Sequence, residues 1–200
     1  MMRMAWLYAQ LAAYVVVIFW DAICSQPRSK VRARERKTTL LFCVVQGIVV
    51  LGSPIEHHAF PLHGFILSIS LLGTALFTFR VFLKRWAMGV LGDMYSIHAG
   101  IAEGHKLHRD GPYRFLRHPA YLAHFLGCIG ITLIFNAWLT LVTAAVLDLV
   151  TVSIRVRKEE AALEKKFQEA YLRYRKEVPA FFPVLFSKSL RFRKGAREGR

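Results

Sequence analysis

YLAHFLGCIGITLIFNAWLTLVTAAVLDLVTVSI, from Tyr121 to Ile154, is an apolar stretch interrupted near its middle by Asn136. A helix that crosses a bilayer needs about 20 largely apolar residues. The two arms, Tyr121 to Phe135 and Ala137 to Ile154, are somewhat shorter than that, and Asn136 between them reads as the tip of a tight helical hairpin. Short arms suit a thin bilayer, an untilted packing or a partly interfacial position.

Three further apolar stretches precede the hairpin, from about Met4 to Ile23, Thr38 to Ile55 and Leu62 to Leu83. Each is near spanning length. The whole chain of 200 residues is 54% hydrophobic and carries a formal charge of +15, with a mean hydropathy of +0.33. A soluble nucleic-acid binder would share the charge but not the apolar runs. The expected fold class is therefore an all-α integral membrane protein of about five transmembrane helices, with excess cations on one side.

Cations between the spans set the orientation. The segment after span one carries Arg28, Lys30, Arg32, Arg34, Arg36 and Lys37, whereas Ser53 to Pro61 after span two has Glu56, His57 and His58 but no lysine or arginine. Span three ends in Lys84 and Arg85, and the chain is basic again beyond span five. These counts predict the N-terminus outside and the C-terminus cytoplasmic. The basic run behind Met1 to Ser25 opposes translocation, so this first stretch is expected to be a retained helix rather than a cleaved signal peptide.

Metal chemistry is not expected. Cys43 and Cys128 fall inside spans and Cys24 at a span end, without paired spacing, which reads as small core residues. Glu56, His57, His58 and His63 read as a polar outer loop rather than a ligand set.

The polar chemistry gathers on the cytoplasmic side. Between Lys84 and Pro119 lies a long connector, a length that tends to carry function, punctuated by Gly89, Gly92, Gly100, Gly104 and Gly111. It holds no Rossmann fingerprint and no phosphate loop. It ends in Gly111-Pro-Tyr-Arg-Phe-Leu-Arg-His-Pro-Ala-Tyr121, which sets two arginines, a histidine and two tyrosines at the mouth of the hairpin. Past the hairpin, Val156 to Lys176 is expected to form an amphipathic helix. Leu163, Phe167, Tyr171, Tyr174 and Val178 form its apolar stripe, while Lys165, Lys166, Arg173 and Lys176 turn away. Glu160 falls within that stripe. A buried carboxylate needs a partner, for which Arg117 or His118 is suited; the alternative is that Glu159, Glu160 and Glu164 are solvated and pair with nearby lysines.

The order Leu91-Gly92, Gly104-His105-Lys106-Leu107, Gly111-x-Tyr113, Arg117-His118-Pro119-x-Tyr121, Arg155-x-x-x-Glu159-Glu160, Phe167, Tyr171-x-x-Tyr174, Pro179 and Pro183 resembles the isoprenylcysteine carboxyl methyltransferases and their phospholipid methyltransferase relatives. The resemblance covers about Leu91 to Leu185. It divides the chain into membrane spans over 1–90, a methyltransferase core over 91–185 and a basic tail over 186–200. Two positions depart from the family pattern: Gln168 stands where glycine is usual after the phenylalanine, and Ala120 where serine or methionine is common.

The resemblance implies an integral membrane enzyme that takes S-adenosylmethionine from the cytosol and a lipidic or prenylated acceptor from the bilayer, with a cytoplasmic cofactor loop. It implies catalytic roles for Arg117, Arg155 and Glu159, and cofactor contacts from His105, Leu107, Gly111, Tyr113, His118, Pro119, Tyr121 and Glu160. A sulfonium ion beside a zwitterion is suited by aromatic faces, a carboxylate and carboxylate-binding donors. A carboxylate acceptor needs no general base, being already ionised near neutral pH. A phosphatidylethanolamine amine would need one, such as Glu159 or Glu160. The expected reaction is carboxyl O-methylation of an isoprenylcysteine-like substrate; amine N-methylation, thiol S-methylation and a non-catalytic scaffold of the same fold remain alternatives. Arg117 is the expected grip on an acceptor carboxylate, through its two-pronged guanidinium.

Overall fold

The computed structural model describes residues 2–24, 36–59, 64–92 and 107–181, with side chains placed over 4–20, 39–59, 64–92 and 107–181. Among the described residues every regular element is helical. Helix α1 spans Met2–Cys24 and α2 Arg36–Gly47; a π-helical turn, Ile48–Gly52, leads directly into α3, Ser53–Ala59. Then follow α4 (Leu67–Leu91), a 3-10 turn (Gly111–Arg114), α5 (Pro119–Phe135), α6 (Trp138–Phe167) and α7 (Glu169–Glu177).

Three helical segments are long and apolar enough to cross a membrane: Thr39–Ala59, Leu67–Leu91 and Trp138–Phe167. Two more apolar helices, Met4–Trp20 and Pro119–Phe135, are shorter. Large apolar side chains face outward along these elements, among them Leu40, Leu51, Phe82, Leu139 and Val142. In water such a surface would be costly; in lipid tails it is the matching solvent. The chain is an integral membrane protein.

The hairpin centred on Asn136 forms as its sequence predicts. Asn136 takes the left-handed conformation (φ 54°, ψ 37°) that ends α5, one asparagine tolerates better than most residues. Its side chain then ties the tip to α4, with Oδ1 accepting from Ile66 N at 2.8 Å and Nδ2 donating to Ser70 Oγ at 3.0 Å. Ser70 Oγ in turn donates to Ile134 O.

Small residues let α4 and α5 cross closely. A Cβ on Gly130 would lie 2.9 Å from Gly73 O, and one on Gly73 would lie 2.5 Å from Gly130 O. With backbone on both sides, nothing can rotate away. Gly130→Val is therefore expected to lower stability by about 2–3 kcal/mol, the scale of overpacking in a close-packed interior. The drop in thermal midpoint of the detergent-solubilised protein measures it, and an unchanged midpoint would mean the crossing has slack.

Two boundaries differ from the sequence reading. Ser53 to Ala59, within the expected outer loop, is helical. The Glu56 carboxylate accepts from Leu139 N at 2.8 Å and from Thr140 N and Thr140 Oγ1 at 2.7 Å each. It thus caps the first turn of α6, whose amide groups have no partners within their own helix, and which offers a carboxylate a favourable dipole. His57 Nδ1 is 2.7 Å from Phe135 O, and His58 Nε2 2.6 Å from Tyr8 OH, so these polar groups lock helix ends together. His63 lies outside the described residues.

The second difference is that span five and the amphipathic helix are one element. Helix α6 runs for 30 residues, about 45 Å at 1.5 Å per residue, well beyond the ~30 Å hydrocarbon core. No glycine or proline interrupts it, and Arg, Lys, Glu and Ala propagate a helix as well as Leu does. Its apolar part ends near Ile154, and its charged part begins at Arg155. It stops at Gln168, whose φ of 47° and ψ of −124° suit glycine rather than a residue with a Cβ. Gln168→Gly is expected to raise stability by about 1 kcal/mol through relief of that strain; a fall in thermal midpoint would count against it.

Candidate active site

Where α5 begins, the chain enters the helix through Arg117 and His118, with Pro119 in the first turn, where its missing N–H costs nothing. The two residues before that proline are held in place by the segment after α7: Arg117 N donates to Pro179 O at 2.9 Å and His118 N to Ala180 O at 3.1 Å. Two strips of chain far apart in sequence therefore run together over the mouth of the hairpin.

Glu160 is the centre of the site. One of its oxygens, Oε1, accepts from Arg117 Nε at 3.0 Å and Nη2 at 2.7 Å, and stands 3.1 Å from His118 Nε2. The other, Oε2, is 3.7 Å from Arg175 Nε. The residue is 8% exposed. Burial pushes its carboxyl up, but hydrogen bonds from His118 and Arg117 outweigh burial and hold it at about 2. Of the two readings left open by periodicity, this is the buried, partnered one. Glu164, one turn on, only reaches the half-exposed Arg175 at 3.5 Å.

Arg117 is bonded on several sides. Besides the two bonds to Glu160, its Nη1 donates to Arg175 O at 2.9 Å and Val178 O at 2.6 Å. A guanidinium has five N–H groups, and these contacts engage all three nitrogens. It joins α6, α7 and the mouth of α5.

Glu159 is half-buried, with Oε2 at 4.0 Å from His118 Nδ1. Arg155 is 1% exposed, and its guanidinium lies 4.9 Å from the centre of the Phe42 ring, which stacks on Tyr121 at 6.2 Å. Tyr121 is also 5.8 Å from His118, which lies 6.0 Å from Phe181. The site thus has an aromatic wall one residue removed from the glutamate pair.

Tyr113 and Tyr174 are joined by a 2.6 Å hydrogen bond from the Tyr174 hydroxyl to Tyr113 O, and Arg109 covers the Tyr174 ring at 5.1 Å. Tyr171 is fully buried, with its hydroxyl beside the Glu160 carboxylate; burial, and then the Glu160 charge, push that phenol up. Gly111 (φ 56°) serves packing: a Cβ there would meet Val90 Cγ2 at 2.5 Å and Trp86 Nε1 at 3.1 Å. Leu107 is half-buried at the start of this strip. His105, Gly104, Lys106 and Pro183 lie outside the described residues.

The structure therefore gathers Arg117, His118, Glu159, Glu160, Tyr121 and Arg155 at one mouth, and ties Tyr113 to it through Tyr174. Phe42 and the carbonyls of Arg175 and Val178 were not anticipated. Nothing local in the sequence marks a single phenylalanine of an apolar span, or a backbone oxygen, as part of a site formed by distant segments.

The model of the isoprenylcysteine carboxyl methyltransferase (ICMT) family matches residues 71–165. A protein-S-isoprenylcysteine O-methyltransferase of Schizosaccharomyces pombe is 29% identical over 73% of this chain and 64% of its own length. The Bacillus subtilis protein YpbQ is 30% identical over 47% of this chain and 56% of its own. The solved structure of the eukaryotic intramembrane Ras methyltransferase ICMT superposes with a TM-score of 0.62 and 21% identity, covering 90% of this chain and 63% of that one. The chain thus spans a little over half to nearly two thirds of the length of these proteins, and shares the fold of the solved one. The resemblance read from the motif order is borne out.

Proposed function

We propose that this chain is a membrane methyltransferase that uses S-adenosylmethionine to methylate the carboxylate of an isoprenylcysteine-like lipidic acceptor. The observation that carries the reading is the cluster of Arg117, His118 and Glu160 at the mouth of an apolar hairpin, within the region that resembles the carboxyl methyltransferase family. A water-facing polar site directly above lipid-facing helices suits an acceptor with a long apolar tail and a charged end.

The residues present fit the cofactor. Glu159 is a half-exposed carboxylate beside the aromatic wall of His118, Tyr121 and Phe181, which suits a cation. The buried Tyr171 hydroxyl beside Glu160 adds a hydrogen-bonding group to the same wall. We assign His118, Tyr121, Glu159 and Tyr171 to the cofactor's charged end, with His105, Leu107, Gly111, Tyr113, Pro119 and Glu160 forming or supporting the rest of its site. When bound, S-adenosylmethionine supplies an electrophilic methyl group. Arg155 holds the acceptor carboxylate by two parallel hydrogen bonds, with Phe42 under its guanidinium. No residue has to remove a proton from an ionised acceptor. Alignment and exclusion of water then supply the rate, and Arg117 acts by fixing the walls between which the reactants meet.

The proposal includes five crossings, spans over 1–90, a methyltransferase core over 91–185, and a basic tail that touches anionic lipid on the cytoplasmic face. Ser53 is buried, so the exposed Ala59 is the position to probe. Impermeant thiol labelling of intact cells is expected to modify Ala59→Cys and spare Ser187→Cys, in a background without native cysteines; the reverse pattern would invert the topology. For the reaction, protein incubated with lipid and prenyl-thiol extracts and methyl-labelled cofactor is expected to yield a labelled methyl ester by mass spectrometry. Label in a phospholipid amine or a thioether would replace the assignment.

A further inference from the structure

His124 and Cys128 lie one turn apart on α5, the spacing that places two side chains on one face of a helix, and α6 brings Asp148 against them. His124 Nε2 is 3.1 Å from Asp148 Oδ1 and 3.8 Å from Cys128 Sγ. One ligand atom from each residue lies within 4.8 Å of the other two. Cys128 is 1% exposed and Asp148 fully buried. Ligands on a tetrahedral zinc ion, with bonds of about 2.0–2.3 Å, stand roughly 3.4–3.6 Å from one another. The two separations from His124 already bracket that range.

The surroundings are built like the outer layer of a metal centre. The Gln46 amide is 3.1 Å from the other ring nitrogen of His124. The Tyr14 hydroxyl donates to Gln46 Oε1 at 2.6 Å and stands 3.8 Å from Cys128 Sγ. A metal-binding histidine is typically oriented by such a bond at its second nitrogen. Asp148 supplies the independent sign: neither of its oxygens receives a well-formed hydrogen bond, although it sits in the apolar part of α6. An ionised carboxylate there needs positive charge close by, and a metal ion between it, His124 and Cys128 would supply it at bonding distance. Arg80 of α4 also borders the site, running along Gly127, where a Cβ would be 3.0 Å from Arg80 Nε.

We propose that His124, Cys128 and Asp148 form a buried site for a zinc-class divalent cation, about two to three turns along α5 from the Arg117–His118 mouth. One sulfur, one imidazole and one carboxylate favour zinc over calcium or magnesium, which prefer all-oxygen shells. Loading releases the thiol proton to water. The His124 proton then resides on Nδ1, and the Gln46 amide turns so that Oε1 accepts it, leaving Tyr14 to donate to the thiolate. Arg80 and Asp148 offset each other, so replacing one thiol proton by a divalent ion adds one positive charge. A single anionic fourth ligand cancels it, and three protein ligands leave that position open. This site does not depend on the methyl-transfer reading.

The test uses the full chain in detergent, stripped with a chelator and titrated with Co2+. Uptake of one equivalent is expected, with tetrahedral ligand-field bands and a thiolate-to-cobalt charge-transfer absorption. Cys128→Ala should abolish the charge-transfer absorption and Cys43→Ser should keep it, while Gln46→Leu should weaken affinity by about 10–100-fold with the spectrum retained. X-ray absorption of the zinc-loaded, unaltered protein guards against misfolding of the variant: one sulfur among nitrogen and oxygen neighbours is expected. Failure to bind one equivalent, a charge-transfer band that survives Cys128→Ala, or a zinc shell without sulfur would each overturn the assignment.

Discussion

Glu160→Ala is expected to destabilise the protein by about 3–5 kcal/mol, the cost of leaving buried charge without its counter-ion. Arg117 loses the acceptor of two of its hydrogen bonds and His118 the partner of its Nε2. The strip at 179–180, held to the mouth by two backbone bonds, loses its side-chain anchor as well. Glu160→Gln keeps the shape and one accepting oxygen but not the charge, so about 1–3 kcal/mol is expected. Glu164→Gln should change stability by under about 0.5 kcal/mol, since its pairing with Arg175 is exposed. Thermal unfolding in detergent and binding of S-adenosylhomocysteine are the readouts, and affinity should fall with stability in the first two variants only. The acid limb gives a separate check. Because the folded Glu160 pKa is depressed to about 2 from 4.5, its contribution is full above about pH 4.5 and is lost as pH falls towards 2. Glu160→Gln should flatten that part of the stability curve. Equal stability and affinity in parent and Glu160→Ala would show that the cluster carries nothing.

Much of this site was legible because its signals are local violations of a pattern. A polar residue at Asn136 between apolar arms marks a turn, and a glutamate in an apolar stripe asks for a partner, which Arg117 and His118 supply. Less legible was whatever hydropathy cannot register. The fall in hydropathy at Arg155 marks where the apolar surface ends, not where the helix ends, because charged residues propagate α6 as well as apolar ones. Glu56 looked like loop polarity, since its partners are backbone amides of Leu139 and Thr140 that only the tertiary fold brings within reach. Cys128 counted as an apolar residue by composition; its meaning changed when Asp148, on the facing helix, arrived beside it. Arg117 was expected to grip an acceptor carboxylate, and its bonds to the carbonyls of Arg175 and Val178 could not be foreseen, because backbone acceptors leave no trace in residue type.

Arg117→Lys is expected to lower single-turnover methyl transfer by about 100-fold, the penalty that small misplacement of reactants incurs. Lysine keeps the positive charge beside Glu160, but one ammonium cannot span Glu160, Arg175 O and Val178 O as the guanidinium does. The walls of the site then shift while the individual contacting groups survive, so S-adenosylhomocysteine should still bind. Arg117 serves either chemistry by position, and the pH profile of the parent protein decides between them. With a carboxylate acceptor the rate should stay flat from about pH 6 to 9, because the nucleophile is ionised throughout. With an amine acceptor it should climb across the same interval as the amine or its base loses a proton. Single-turnover conditions are needed so that product release does not level either profile. Arg155→Lys adds the acceptor-side control: with a carboxylate held bidentately it should depress the rate steeply, whereas an amine has no use for that grip. A rate that rises with pH, together with Arg155→Lys as active as the parent, would sink carboxyl methylation and leave the phospholipid amine as the acceptor.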